Sequence, residues 1–267
     1  MRARFLGPCM ALALLAGAAG SPAQSADSKS SQSIAALRAN AESGNAVAQY
    51  NLGIFYSHGW GIPQDYAQAA LWYRKAAEQG MSDAQYNLGG FYYDGHGVPQ
   101  DYAQAAVWYR KAAEQGDAGA QYYLGILYHN GQGVPKDDAK AVTWGRKAAE
   151  QGLAEAQFSL GVSYYGGEGV PQDYSQAVFW FRKAAEQGEA DAQFWLGVLY
   201  ESGTGLPQDY AEAYFWFDVA AAGNPPTASA EADVKNRDEA ASNLTKTVLL
   251  QTQERARKWF EDHPAKP

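Results

Sequence analysis

Apolar positions recur along the chain with two interleaved spacings. Over 46–57, Ala48, Leu52 and Tyr56 stand at i, i+4 and i+8. Over 66–79, Ala69, Trp72 and Ala76 stand at i, i+3 and i+7. Both spacings place apolar side chains on one face of a helix, and no stretch alternates with period two, so the pattern predicts helices and no sheet. The pair then recurs every 36 residues. Gln49, Gln85, Gln121, Gln157 and Gln193 are in register, and so are Leu52, Leu88, Leu124, Leu160 and Leu196, each followed by glycine. Tyr56, Tyr92, Tyr128, Tyr164 and Tyr200 follow, and Trp72, Trp108, Trp144, Trp180 and Trp216 close the set. A period in this range marks a stack of supersecondary units. The reading is five helix-turn-helix repeats at 45–80, 81–116, 117–152, 153–188 and 189–224.

Helices this short are marginal alone in water, so each repeat depends on burying its apolar face against its neighbours. Gly53 and its equivalents fall mid-helix, where glycine costs about 1 kcal/mol relative to alanine. Five such glycines predict that a bulky side chain comes very close there, and the tryptophans are the expected partners. The loops repeat as well: GWGIPQDY, DGHGVPQDY, GQGVPKDD, GEGVPQDY and GTGLPQDY. The glycines end one helix, proline blocks its continuation, and Asp65 begins the next as an N-cap. Asp65 with Gln68 has the spacing of a capping box, as do Asp101 with Gln104, Asp173 with Gln176 and Asp209 with Glu212, while repeat three has Lys140 at the last position. Arg74 and Lys75 lie where a helix C-terminus favours cations.

The ends differ from the repeats. Residues 1–23 combine basic Arg2 and Arg4, an apolar run from Phe5 to Ala19, and small residues at 21–23, the layout of a cleavable export signal. Residues 24–33 are serine-rich and read as a disordered leader. Residues 34–44 align with half a repeat lacking its tryptophan and are expected to form an N-terminal capping helix. Residues 225–267 are expected as a linker and a C-terminal helical cap. Its helices are predicted near 229–242 and 246–261, the second capped by Thr245, with Leu249, Ala256 and Phe260 on one face and Trp259 beside them.

Composition narrows the chemistry. The one cysteine, Cys9, lies in the presumed signal, so the rest of the chain offers no disulfide, thiolate ligand or cysteine nucleophile. The formal charge is −8, and losing residues 1–23 makes it two units more negative. That argues against nucleic acid and anionic lipid as partners, and no later stretch would insert in a membrane. His58, His96, His129 and His263 occupy different phases of the repeat without metal-ligand spacing, and the GxG loops lack the lysine and the preceding strand of a phosphate loop. The reading is a non-enzymatic chain with no cofactor.

The pattern A-x-x-Q-x-x-L-G-x-x-Y-x-x-G-x-G-V-P-Q-D-Y-x-x-A-x-x-W-x-x-K-A-A-E-Q-G, in phase from about 45 to 224, resembles the Sel-one-like repeat, an α/α relative of the tetratricopeptide repeat. The resemblance implies a right-handed α/α superhelical solenoid whose concave face binds a protein or peptide, as a scaffold or adaptor. With an export signal, the setting is periplasmic or secreted, and a monomer is favoured. Two alternatives stay open: a hydrolase like the β-lactam-hydrolysing, cysteine-rich branch of that family, whose repeat cysteines this chain lacks, and a structural scaffold for envelope polysaccharide machinery. The resemblance also makes the second stripe of each first helix line the groove. Its aromatic row is Tyr50, Tyr86, Tyr122, Phe158 and Phe194. The least uniform row is Ser57, Tyr93, His129, Tyr165 and Glu201, with His58, Asp94 and Asn130 beside it. Trp195 stands where other repeats carry asparagine, tyrosine or serine. Positions that vary between copies are not set by common packing, so they are candidate partner contacts; the aromatic row, aromatic in every copy, is open to inter-repeat core packing as well as to partner contact, and Trp195 to an anchor role or to packing against the C-terminal cap.

Overall fold

The structure, a computed structural model, describes residues 23–223 and 228–263. Among them it has thirteen α-helices and no strand. Helix α1 is Ala23–Glu42. The five repeats contribute α2 (Ala46–His58) with α3 (Tyr66–Glu78), α4 (Ser82–Asp94) with α5 (Tyr102–Glu114), and α6 (Ala118–Asn130) with α7 (Asp138–Glu150). They continue with α8 (Ala154–Gly166) and α9 (Tyr174–Ala185), then α10 (Ala190–Ser202) and α11 (Tyr210–Gly223). Helices α12 (Ala228–Ser242) and α13 (Lys246–Asp262) follow. The expected export signal lies, but for its last residue, outside the described residues, as does the linker at 224–227. Residues 24–33 are helical rather than a disordered leader: past Pro22 the segment holds neither glycine nor proline, so nothing in it breaks the helix that carries Ile34 and Ala41.

The chain divides into two compact units, one ending at Lys136 and the other beginning at Asp137, inside the loop of repeat three. In each, consecutive helices up to α12 pack on one another as the helix pairs of an α/α solenoid, and α13 packs on α11. In the first unit Leu52, Leu88 and Leu124 have no exposed surface. In the second, Leu160 and Leu196 are buried in the same way.

The mid-helix glycines do meet a bulky side chain, but not tryptophan. A Cβ on Gly53 would lie 2.6 Å from the ring of Tyr73, one residue past Trp72. Gly89 meets Tyr109, Gly161 meets Phe181 and Gly197 meets Phe217 in the same way, at 2.6–2.7 Å. Tryptophan and its neighbour differ by 100° on the helix. Both meet the first helix of their own repeat, the neighbour at Gly53 and Trp72 at Ala48 and Leu52, where it also packs with Ala41 of α1. Repeat three has Gly145 at the aromatic position.

Buried glutamines tie successive repeats together, a role the sequence reading left unassigned. Gln49 donates to the Ala41 carbonyl at 3.0 Å, Gln85 to Ala77 at 3.0 Å, and Gln121 to Ala113 at 3.1 Å. Gln79 and Gln115 in turn donate to Gln49 and Gln85, both at 2.7 Å. In the second unit Gln157 and Gln193 bond Ala149 and Ala185, and Gln187 bonds Gln157. The bonds to alanine carbonyls link each repeat to the segment before it, and the glutamine–glutamine bonds join the end of a repeat's second helix to its first, so the buried amides are satisfied.

The capping aspartates act as expected at one end only. Asp65 Oδ1 accepts from the Gln68 N–H at 3.0 Å, and Asp101, Asp173 and Asp209 cap in the same way. The reciprocal bond of a capping box is absent. The Asp65 N–H instead donates to the Tyr56 carbonyl at 2.9 Å, and Asp101, Asp173 and Asp209 donate to Tyr92, Tyr164 and Tyr200. The start of each second helix is thereby fastened to the end of the first. Asp137 caps too, with Lys140 supplying both its N–H at 2.9 Å and its ammonium at 3.0 Å. The cations expected at helix ends have other partners. Arg74, Arg110, Arg146 and Arg182 donate to the hydroxyls of Tyr92, Tyr128, Tyr164 and Tyr200 in the next repeat, and Lys75 and Lys111 lie 4.0 Å above the rings of Trp72 and Trp108.

At the C-terminal end, α13 buries Thr252 and Ala256, and Trp259 packs against Phe215 and Trp216 at ring-centroid distances of 5.8 and 5.4 Å. Phe260, expected on one face with Ala256, is exposed; Trp259, one position earlier, packs inward instead. In α11 the phase that carries Lys75, Lys111, Lys147 and Lys183 in earlier repeats holds buried Val219. The last repeat exchanges the charge that covers its tryptophan for an apolar seat under α13.

Candidate partner-binding surface

The aromatic row of the first helices is partly structural. Tyr50 packs on Tyr73 at 5.8 Å, Tyr86 on Tyr109 at 5.9 Å, Phe158 on Phe181 at 5.7 Å and Phe194 on Phe217 at 5.8 Å. The uniform spacing shows a packing rule, yet each of these first-helix residues stays half-buried. Tyr122, whose repeat has Gly145 in place of the aromatic, packs edge-on to Tyr123.

The variable row is divided. Ser57 is buried: its hydroxyl donates to the Ile54 carbonyl and meets His58 Nδ1 at 2.9 Å and the Tyr73 hydroxyl at 3.3 Å. His58 is exposed and packs on Trp60. Tyr93 is half-buried, edge-on to Tyr102 at 5.3 Å and Tyr123 at 5.8 Å. Asp94, His129 and Asn130, also in the chain's first unit, are exposed. In the second unit Tyr165 lies 4.9 Å from Trp195, which stacks on Phe181 at 5.9 Å with an interplanar angle of 14°. Trp195 therefore packs back on the preceding repeat and not on the C-terminal cap. Glu201 is half-buried, and burial raises its carboxyl above the ordinary value, helped by the charge of Glu239.

Burial also raises the Tyr93 hydroxyl, with Tyr102 and Asp94 adding to the effect, and it raises the Asp94 carboxyl against the opposing pull of His96. Tyr109, wholly enclosed, is pushed well above the usual tyrosine value by burial first and by Tyr86, Tyr123, Asp94 and Tyr93 after it. Such an assembly holds hydroxyls protonated and a carboxylate at the surface. It offers hydrogen bonds and ring faces, not an activated nucleophile.

Nothing among the described residues gathers three metal-ligating side chains, and no helix is long and apolar enough to cross a membrane. A depression of about 420 Å³ in the second unit is lined by Arg182, Tyr200, Pro207, Gln208, Asp209, Glu212 and Trp216. Its charged groups are occupied: Arg182 bonds Tyr200 at 2.5 Å, Asp209 caps α11, and Glu212 forms a two-bond pair with Arg255 at 2.5 and 2.8 Å. The loop glutamines, which sequence reasoning passed over, brace the turns. Gln64, Gln100, Gln172 and Gln208 donate to the carbonyls of Ser57, Tyr93, Tyr165 and Glu201, at 2.7–2.8 Å.

Five consecutive segments, 46–81, 82–117, 118–153, 154–189 and 190–225, match the Sel1 repeat. The chain belongs to the Sel1 repeat family. Among solved structures, an Escherichia coli protein, c5321, described as a protective antigen of uropathogenic strains with this fold, is 40% identical with a TM-score of 0.70. The match covers 77% of this chain and 48% of that one, so the chain spans about half the length of that relative. A Sel1 repeat protein from Oxalobacter formigenes is 36% identical, with a TM-score of 0.70 over 77% of this chain and 84% of its own. A comparison with curated proteins returned no match. Sel1 repeat proteins are typically protein-interaction scaffolds and generally non-enzymatic.

Proposed function

We propose that this Sel1 repeat protein is an exported scaffold that holds a protein or peptide on the surface formed by its first helices. The observation that carries the reading is the contrast along those helices. Gln49, Leu52, Gly53 and Tyr56 recur unchanged in all five repeats and serve packing, while the half-exposed ends vary as Tyr93, His129, Tyr165 and Glu201. Residues 1–23 support export to the periplasm or beyond. A surface that carries tyrosine and tryptophan rings suits protein interfaces, where those side chains are enriched.

The test is site-specific photo-crosslinking in the envelope fraction of the native host. A photoreactive phenylalanine analogue at Tyr93 or Tyr165 should give one discrete protein adduct. The same analogue at exposed Leu71 or Phe179, on the second helices, should give none. Equal labelling from both sets, or none from either, overturns the proposal.

A further inference from the structure

Charge is divided between the two helices of each repeat. The first helices α2, α4, α6, α8 and α10 carry no lysine or arginine. Within the repeats every such cation lies on a second helix, apart from Lys136 in a loop. In the second unit those cations are engaged. Arg146 and Arg182 bond Tyr164 and Tyr200, Lys140 pairs with Asp137, and Lys147 and Lys183 cover the rings of Trp144 and Phe179. The acids of the first helices stand apart from them. Glu155 on α8 and Asp191 on α10 hold the same phase of neighbouring repeats, and both are exposed. Half-buried Glu201 lies further along α10, about 15 Å from the level of Asp191 at the helical rise. Among the described residues none of the three has an ion-pair partner.

Between these acids the same helix face is apolar. On α8 it runs from Glu155 through exposed Val162 to Tyr165, and the Tyr165 ring meets that of Trp195 on α10 at 4.9 Å. The two rings bridge the pair of helices. The α10 equivalent of Val162, Val198, is drawn into the cluster around Ala240 of α12, so the open apolar ground is on α8. Glu189, at the start of α10, feels the charges of both Asp191 and Glu155, so the acids at that end act on one another. Like charges gathered without a counter-charge destabilise the free chain, and a bound cation relieves the repulsion. A second copy of this chain, of formal charge −8, is repelled rather than drawn in.

We infer that the face shared by α8 and α10 takes an extended basic segment of the bound protein. An apolar side chain of that segment rests on Val162, Tyr165 and Trp195, and lysine or arginine on either side of it reaches Glu155 and Asp191 at one end and Glu201 at the other. An extended strand sends alternate side chains to one face, and four residues span about 13 Å, so positions i, i+2 and i+4 match the two acidic ends and the apolar centre. The stems of long cationic side chains pack on apolar ground while their heads meet the carboxylates. The inference rests on the scaffold reading and names the chemistry of its partner.

The probe is the blocked peptide acetyl-Arg-Ala-Leu-Ala-Arg-amide, titrated into the full chain labelled with ¹⁵N-tryptophan and followed by NMR. The expected result is a saturable shift of the Trp195 indole signal, assigned by its loss in Trp195→Phe. Affinity should fall steeply with added salt. It should fall about threefold or more in the double variant Glu155→Gln with Asp191→Asn, as for the loss of exposed charge pairs, with an unchanged melting curve confirming the fold. Glu78→Gln, which removes an exposed acid from a second helix of the first unit, should leave affinity unchanged. An equally tight peptide with glutamine for arginine, wild-type affinity in the double variant, or the same loss in Glu78→Gln would each overturn the assignment. So would sedimentation of the chain alone as a dimer that Trp195→Phe dissociates, which would give the face to a second copy. If the crosslinked adduct forms at Tyr165 but the peptide does not shift Trp195, the basic segment fails and the scaffold stands. If the peptide binds as expected but no adduct forms, the scaffold reading fails by itself.

Discussion

The two compact units fill the same backbone positions with different aromatic chemistry. In the first, the rings around the mid-helix glycines are tyrosines: Tyr50 with Tyr73, and Tyr86 with Tyr109, Tyr123 and Tyr93. In the second they are Phe158 with Phe181, Phe194 with Phe217, and Trp195. The ring spacings are the same, so the packing needs a flat ring and is indifferent to the hydroxyl. Phe181 and Phe217 bury without further demand. Tyr73 needs Ser57, and Tyr109 has no partner within the fold. The second unit is the apolar version of the design. The first carries hydroxyls that cost stability unless something else uses them.

The sharpest way to break the comparison is to remove a ring. Phe181→Ala should cost about 3–5 kcal/mol, the range for truncating a buried aromatic, because the wall against Gly161 and the stacking surface for Trp195 vanish together. Chemical denaturation of the full chain checks this, and a loss under 1 kcal/mol would show that the ring is not the keystone of its repeat. Next come the glycines. Gly161→Ala and Gly89→Ala would each push a methyl to within 2.7 Å of an enclosed ring, and overpacking of this kind costs about 1–3 kcal/mol. Equal losses in the two units would confirm that Phe181 and Tyr109 play one steric role. A neutral Gly89→Ala would mean that the tyrosine side yields where the phenylalanine side does not.

Period, loop chemistry and helix limits were legible in the sequence because turns and caps are local: glycine, proline and aspartate act within a few residues of where they stand. What was not legible depends on direction across space. Trp72 and Tyr73 are both aromatic and adjacent, and only the orientation of α3 decides which meets Gly53. Trp259 and Phe260 pose the same choice in α13. The buried role of Gln49 shows in the repeat only as an invariant letter, since its partner, the Ala41 carbonyl, is backbone in another helix. Of the candidate contacts, Tyr93 and Asp94 could be picked out by their variation between copies.

Exchanging the hydroxyls tests the contrast with a smaller effect. Tyr109→Phe should leave stability unchanged or raise it by up to about 1 kcal/mol, since it removes a buried donor without a partner. Phe181→Tyr should lower stability by about 1–3 kcal/mol by creating one. Melting of both variants against wild type decides it. If the two shifts have the same sign, the unpaired hydroxyl is not what distinguishes the units.

The smallest effect concerns the residues that open the first helices. Asn45, Met81, Asp117, Leu153 and Glu189 share one phase, so the position accepts both polar and apolar side chains. In the first unit Asp117 caps α6 by accepting from the Ala120 N–H at 2.6 Å. In the second Glu189 precedes α10 and makes no side-chain cap bond. Burial raises the carboxyl of Glu189 above its ordinary value, and the charges of Asp191 and Glu155 raise it further. The folded chain therefore holds that proton more tightly than the unfolded chain. Stability from this group is present in full below the unfolded carboxyl value and is lost as pH rises through the raised folded one. At neutral pH the ionised Glu189 is a net cost. Glu189→Leu, the residue type of Leu153, should raise stability at pH 7 and remove that part of the decline on going from mildly acidic to neutral pH. It should change little below the ordinary glutamate range. Asp117→Asn, which keeps an acceptor for the Ala120 N–H, separates the cap from the charge in the other unit: its capping bond survives while its own burial penalty disappears. Denaturation midpoints across that pH range give the slopes, and an unchanged slope in Glu189→Leu would show that the carboxylate is well solvated where it stands.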